Sequence, residues 1–434
     1  MKIKPLITAM TITVISASVN LSAFAAPNNS NVLLPVRAAN SLPSLAVLTS
    51  LDIQESRSNS LNSNVVLADN MSAEELARTD EQSDNSDDIS EGQVVAAPSK
   101  VPSDAASSEL PDSEQTQDLS DDSTIKSIED KDGEKRTTLN LSNYAKQVNK
   151  AKWSPNMKVN SAMTIKIQKL LDWNHASPGP IDGGWGMNSQ KALINFQTMR
   201  GLPATGKMNQ KTWEELNKNI PANKPVLVTY TLTAEDLKTN FATTPSGSEA
   251  KSKMKGLYYQ DIKEMLGERF HMDVRYLEKL NKNKSYKAGE TITVLNVGTP
   301  LKERITRAVA NKADQTLYAY NGNKLVATYP TTVGSSSTPS PQGSFKIINK
   351  VKMPWYKATV GEGAQKQVYM LPPGPNNPVG VVWMGLSKPS YGLHGSPKPE
   401  GISRQASAGC VRLTNWDVLE VYANIEKGAV VELK

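Results

Sequence analysis

Over residues 163–171 apolar side chains recur at helical spacing, with Met163, Ile165, Ile167, Leu170 and Leu171 on one side, and this predicts an amphipathic helix. The punctuating cluster SPGPIDGGWG ends it. NSQKALINFQTMRGL predicts a second helix, with Asn188 or Ser189 as its cap, Ala192, Leu193 and Phe196 facing inward and Gly201 as its stop. TGKMNQKTWEEL restarts a third, carrying Trp213 and Leu216. From Val226 the pattern changes. VLVTYTLTAEDL alternates like a strand and runs into a helix start, and a polar stretch holding TTPSGSEAKSK interrupts it. The segment from Tyr258 to Val297 then reads helix, turn, helix, turn, strand. After Arg304 strands dominate. TLYAYNGNKLVATYP predicts a hairpin about Asn321-Gly322, and GSFKIINKVKM, VGVVWMGLS and GAVVELK are further strands, with only NWDVLEVYANIE helical. The expected fold class is multidomain: a three-helix domain at 155–220, a small α+β module at 226–298 and a mainly β domain at 304–434.

The remainder of the chain lacks such periodicity. From Pro27 to Asn140 there is no Trp, Tyr or Phe, and DEQSDNSDDISEG is typical of it. So little apolar surface cannot offset chain entropy, and 26–140 is expected to be a disordered acidic linker, either a spacer or an unselected polar tail. Residues 1–25 read as a signal peptide: Lys2 and Lys4, an apolar run from Leu6 to Val19, then the small residues of Ala23-Phe24-Ala25. Export to the periplasm or cell envelope is expected, with membrane tethering if the segment stays uncleaved. No cysteine follows the apolar run, so the chain is not expected to be a lipoprotein itself. The net charge of +6 conceals an asymmetry, because 51–136 holds 22 acidic against 7 basic residues. The part beyond Arg136 therefore carries about +18. A basic exported body suits an anionic polymer or membrane surface, and no nucleic-acid partner is expected.

Export changes the meaning of Cys410, the only cysteine in the 434 residues. A lone thiol outside the cytosol is an intermolecular disulfide, a small buried hydrophobe or a reactive nucleophile. Its surroundings bear on the third. His394, one of three histidines, lies sixteen residues upstream, and an imidazole is the usual means of making a thiolate. Gly409 lets the backbone turn sharply before the nucleophile and present N–H groups to an oxyanion. Arg412, two residues on, shares a strand face with Cys410, where it can lower the thiol pKa or hold a carboxylate. One Cys and one His fall short of a zinc site, so neither metal nor cofactor is expected.

Taken together, His394-Gly395 and Ser407-Ala408-Gly409-Cys410-Val411-Arg412 closely resemble the catalytic motif of the L,D-transpeptidase family. TPSPQGSF, GPNNPVG and Tyr391-Gly392 fit the same family. The resemblance covers about residues 304–434 and implies an L,D-transpeptidase-type β-sandwich. It implies that His394 takes the proton of Cys410 and that the thiolate attacks a peptidoglycan stem peptide after its third residue, a diamino acid. A thioester forms, the terminal D-alanine leaves, and a second stem's amine resolves the intermediate into a cross-link. Backbone at Ala408, Gly409 and Cys410 would form the oxyanion hole, with Ser407 supporting the loop. Arg412, Tyr391, Gly392 and Gly395 would bind substrate. Many members carry histidine where this chain has Ala408. Acylation by carbapenems is implied too. The stretch holding Trp355, Tyr356 and Tyr369 reads equally as a lid or a strand extension.

The three-helix unit resembles the peptidoglycan-binding domain, through Gln168-x-Leu170-Leu171, Pro178-Gly179-Pro180-Ile181-Asp182-Gly183, Phe196-Gln197, Gly201-Leu202, Thr205-Gly206 and Thr212-Trp213. Trp213 and Phe196 are expected in its core, and Asp182 is expected to fix a turn. The module at 226–298 resembles a divergent LysM glycan binder, through Tyr230-x-Leu232, Glu235-Asp236-Leu237, Leu277-x-x-Leu280-Asn281 and Gly289-x-x-Ile292-x-Val294, with an insertion of about twenty residues after its first strand. Rival readings stay open. A lipoprotein lysine or free D-amino acid could be the acceptor, water could make the protein a hydrolase, and a silent wall-binding scaffold would need no chemistry.

Overall fold

The computed structural model describes residues 93–95, 136–334, 340–361, 363–404, 407 and 409–434. The expected signal peptide, most of the acidic linker and Ala408 lie outside the described residues. Strand β1 (Gln93–Val95) and strand β2 (Arg136–Thr137) precede helix α1 (Asn143–Lys150).

The three expected helices follow as α2 (Ser161–Trp173), α3 (Met187–Met199) and α4 (Gln210–Asn217). All five apolar positions that predicted α2 are buried, and Asn160 caps it by accepting the Met163 N–H. Helix α3 differs at its start. It begins at Met187 behind Gly186, with no side-chain cap. The two expected caps are occupied elsewhere: Ser189 Oγ accepts from Gln168 Nε2 at 2.9 Å, and Asn188 Nδ2 donates to the Ile402 carbonyl of the β domain at 3.3 Å. Gly201, at φ +64°, ends the helix as expected. Phe196 is fully buried and Trp213 is half-buried against the same core. Asp182 Oδ1 accepts the Gly184 N–H at 2.8 Å and Gln168 Nε2 at 3.0 Å, so it does fix the turn.

In the middle module β3 (Leu227–Thr231) pairs antiparallel with β4 (Thr291–Leu295), and β2 joins the other edge of β3. Between β3 and β4 lie α5 (Ala234–Lys238), α6 (Ser248–Ser252), α7 (Ile262–Arg269) and α8 (Val274–Leu280). A buried ion pair joins its ends: Arg269 Nη1 donates to Asp236 Oδ1 at 2.8 Å. The Tyr230 hydroxyl and the Thr233 N–H donate to the other carboxylate oxygen, so both oxygens of the buried carboxylate have partners.

The last region holds β5 (Ile305–Asn311), β6 (Thr316–Asn321), β7 (Lys324–Pro330), β8 (Gly343–Lys352), β9 (Trp355–Val360), β10 (Gln367–Leu371), β11 (Val382–Leu386), β12 (Gly392–His394), β13 (Val411–Arg412), helix α9 (Asn415–Asn424) and β14 (Ile425–Leu433). Eight strands form one sheet in the order β13-β12-β11-β8-β14-β5-β6-β7. Long β8 is shared: residues 343–346 pair with β14 and residues 347–352 with β11. Bridges from Thr332 to Arg412 and from Gly334 to Ser407 bring the two ends of the sheet together. That closure covers edge groups that would otherwise seek another strand, and it falls beside Cys410. Strands β9 and β10 form a separate hairpin, with β1 on the outer edge of β9.

The three regions are not loosely strung. One buried apolar cluster runs through all of them. Main-chain bonds stitch the helical domain to the sheet (Thr328 N–H to His175 O, 2.8 Å) and to the middle module (Ile181 N–H to His271 O, 3.0 Å). The insertion that interrupts the middle module has a place too. Leu257 exchanges main-chain bonds with Pro373 and Asn376 at the base of the β9–β10 hairpin, and its side chain packs with Ala358 and Leu371.

Candidate active site

Parallel pairing of β12 with β13 sets Leu393 opposite Val411 and His394 opposite Arg412. Paired residues of parallel strands point the same way, so His394 and Arg412 share one face, and the Arg412 charge reaches both His394 and Cys410, the residue just before β13. Spacing in the sequence anticipates Arg412 beside Cys410, and the register adds the histidine. Gly409, at φ +101°, turns the chain into the cysteine. The loop is tied from both sides: Ser407 Oγ donates to the Cys410 carbonyl at 2.6 Å, and Ser340 Oγ donates to the Gly409 carbonyl at 2.7 Å. Ser407, expected to support this loop, thus bonds within it.

His394 is buried, and its ring stacks on Trp383 with centroids 5.8 Å apart. Its Nδ1 lies 2.7 Å from the Gly395 carbonyl. A carbonyl only accepts, so Nδ1 carries the hydrogen and Nε2 is left as the basic nitrogen. Burial, with the Arg412 charge adding to it, pulls the imidazole pKa down to about 3. Cys410 is half-buried, and its thiol donates to the Ser390 carbonyl at 3.6 Å. Burial pushes the thiol pKa up, while the Gly392 N–H and the Arg412 charge work against that shift. Arg412 is thus felt by both side chains, but desolvation is the larger influence on each. The resting pair is neutral thiol and neutral imidazole.

The two glycines expected to bind substrate, Gly392 and Gly395, stand where the packing leaves no room for a side chain. A Cβ on Gly392 would lie 2.6 Å from Trp383 Cζ2, and one on Gly395 would lie 2.2 Å from Asn415 Oδ1. Tyr391 is half-buried against the core, with Lys388 Nζ 5.5 Å from its ring centroid. Ala408 lies outside the described residues. The β9–β10 hairpin reaches the site through Tyr356, whose hydroxyl interacts electrostatically with Arg412.

Sequence reasoning missed Trp383, Ser340 and Asn415. Trp383 hides in the apolar run VVWMGL, whose continuity signals only a buried strand. Ser340, between two prolines, reads as punctuation. Asn415 stands three residues beyond Arg412, and a polar residue at a helix start was there to be noticed.

Two regions of the chain match known protein families. The family model described as YkuD, L,D-transpeptidase catalytic domain, matches residues 305–433, and a putative peptidoglycan binding domain matches residues 160–216. A putative L,D-transpeptidase YkuD of Bacillus licheniformis is 32% identical over 147 residues, which are 34% of this chain and 75% of the relative. Its namesake in Bacillus subtilis is 31% identical over 146 residues, 34% of this chain and 76% of the relative. Among solved structures, a cysteine-to-serine mutant of an Enterococcus faecium L,D-transpeptidase is 20% identical, with a TM-score of 0.24 over 30% of this chain. The chain spans 50% of that structure's length.

Proposed function

This chain belongs to the L,D-transpeptidase family, and from that membership we propose that it cross-links peptidoglycan stem peptides through an acyl thioester on Cys410. The observation that carries the reading is Arg412 set opposite His394 with its charge reaching both the imidazole and the Cys410 thiol, and the imidazole held as the Nδ1–H tautomer by Gly395. In that tautomer Nε2 takes the thiol proton as sulfur attacks the carbonyl of the third stem residue. Backbone N–H groups at Gly409 and Cys410 stabilise the oxyanion. The carbon–nitrogen bond to the terminal D-alanine breaks, and the imidazolium returns its proton to the departing amine. The amine of a second stem's diamino acid then attacks the thioester, gives a proton to Nε2 and frees the thiol. Arg412 is placed to hold a substrate carboxylate. The same sulfur is open to acylation by carbapenems.

The other modules fit a wall enzyme. The strand–helix–helix–strand arrangement of β3, α7, α8 and β4 supports reading 226–298 as a divergent LysM-type module. In the helical domain Trp153, Met157, Trp185 and Met208 line a groove of about 320 Å³ together with Asn156 and Lys207. We place glycan contact there. A sugar ring has one apolar face for the indoles and a hydroxylated rim for the amide and the ammonium. The cell envelope is the compartment where such a substrate is met.

The test is mass spectrometry of the protein incubated with purified disaccharide-tetrapeptide, beside Cys410→Ala. A cross-linked dimer lacking one alanine, made by the wild type alone, is the expected product. Tripeptide monomer without dimer would convert the reading to hydrolysis. An active Cys410→Ala protein would overturn the thioester.

A further inference from the structure

Directly behind the catalytic histidine, polar groups from two modules meet in the interior. Asn415, the first residue of α9, is fully buried. Its Nδ2 donates to both carboxyl oxygens of Glu268, at 3.0 and 3.1 Å, and to the Pro375 carbonyl at 3.3 Å. Glu268 belongs to α7 of the middle module and is itself 2% exposed. The opposite end of the amide, Oδ1, accepts the Val381 N–H at 3.3 Å. It sits in the notch between Gly380 and Gly395, 2.2 Å from where a Cβ on either would stand. Gly395 is the residue whose carbonyl fixes the His394 tautomer.

We propose that Glu268 is a positioning residue for His394, acting from the middle module through Asn415 and the Gly395 peptide. An amide has one accepting end and one donating end. The Glu268 carboxyl, with Pro375, draws the NH₂ group toward α7 and so presents the oxygen to the glycine notch. Gly395 is held in turn by its N–H bond to the Val379 carbonyl at 3.1 Å, and its carbonyl accepts the histidine Nδ1–H. A shift of the amide would therefore be passed to the imidazole. Burial, with Glu264 and Glu400 nearby, keeps the Glu268 carboxyl well above the usual carboxylate range. It can occupy the interface as an uncharged acid, with Tyr259 donating to Oε2 at 3.2 Å. The middle module is on this view part of the catalytic apparatus, whatever glycan it also holds.

The inference rests on the Cys410–His394 reading, and one series of full-length variants separates the two. Glu268→Gln retains an oxygen for Asn415 and is expected to keep wild-type turnover. Glu268→Leu removes it and is expected to lower kcat about tenfold or more, within the roughly hundredfold that a misplacement of about 1 Å can cost, with KM nearly unchanged. The chain has three histidines, so nitrogen-15 spectra of labelled histidine can follow His394 separately. Its Nδ1–H signature is expected to be lost in Glu268→Leu and kept in Glu268→Gln, which a merely structural role would not produce. If Glu268→Leu does not fold, Glu268→Asp, which withdraws the carboxyl by one methylene, is read in its place and is expected to show a smaller loss of the same kind. A folded Glu268→Leu or Glu268→Asp with wild-type kcat and wild-type imidazole signals would overturn the proposal. Absence of activity in the wild type would instead strike the transpeptidase reading.

Discussion

Cys410 and His394 are both moved by burial toward their neutral forms, the thiol upward and the imidazole down to about 3. The sign of each shift sets a pH signature. His394 is already neutral throughout the range above pH 4, so no acid limb is expected near 6.5, where an ordinary histidine titrates. The thiolate population grows only as pH approaches the raised thiol value. Alkylation of Cys410 by iodoacetamide should therefore keep accelerating from pH 7 through pH 9. A plateau below pH 7 would mean a preformed thiolate–imidazolium pair and would contradict this geometry. Arg412 is a charge that limits the thiol's rise, beside the Gly392 N–H, so Arg412→Leu should slow alkylation at pH 8. The cysteine and arginine were legible as candidates because their spacing is local, and the histidine through the family motif it resembles. The tautomer and the neutral resting state were not, because both come from burial and from a carbonyl that no motif records.

At the scale of elements, periodicity located the helices and strands well, since each apolar face has a core to meet. What it could not supply was how elements of different modules use one another. The polar insertion at TTPSGSEAKSK looks like a defect in the middle module, yet the Leu257 backbone just after it closes onto Pro373 and Asn376. Gly374, at φ +149°, lets the chains approach so closely that a Cβ there would lie 2.0 Å from the Leu257 carbonyl oxygen. Asn188 and Ser189 look like caps because a cap is the local use of such residues, whereas the fold spends them on contacts with distant parts of the chain. The groove beside α2 is a similar product of assembly. Trp153, Asn156 and Met157 precede the matched helical domain and Trp185 lies in its glycine-rich turn, so no single window of sequence contains the surface. Trp185 is 41% exposed, which makes a clean test. Trp185→Ala should change stability by about 0.5 kcal/mol or less, as for other exposed sites, while reducing sedimentation with purified sacculi several-fold. Unchanged sedimentation would remove glycan contact from this groove.

Across the whole molecule, α9 acts as the common seat for all three modules. Trp416 stacks on His271 of the middle module, with centroids 5.4 Å apart. Asp417 Oδ2 accepts from Ser177 Oγ of the helical domain at 3.0 Å, and Glu420 Oε1 meets His175 Nδ1 at 3.2 Å. Glu420 also accepts from the Tyr329 hydroxyl and the Leu301 N–H. Burial alone would lower the His175 pKa, but Glu420, with Asp172 and Glu303 behind it, raises it overall. Glu420 is held below its usual value despite its burial, chiefly by His175. The signs define a window. The raised histidine contributes stability in full below its unfolded pKa near 6.5 and loses it as pH rises through the higher folded value. The depressed carboxylate contributes above its unfolded pKa and loses that in acid. The junction is accordingly tightest in mildly acidic solution, around pH 5 to 6.5. His175→Gln keeps the size and polarity of the side chain without the charge. Thermal unfolding followed from pH 5.5 to 9 should show the variant about 2 °C below the wild type at the acid end, roughly what 1 kcal/mol produces in a body of this size. The gap should narrow as the pH climbs, because the wild type loses the ion pair that the variant never had. A gap of constant width would mean that His175 acts there by shape alone.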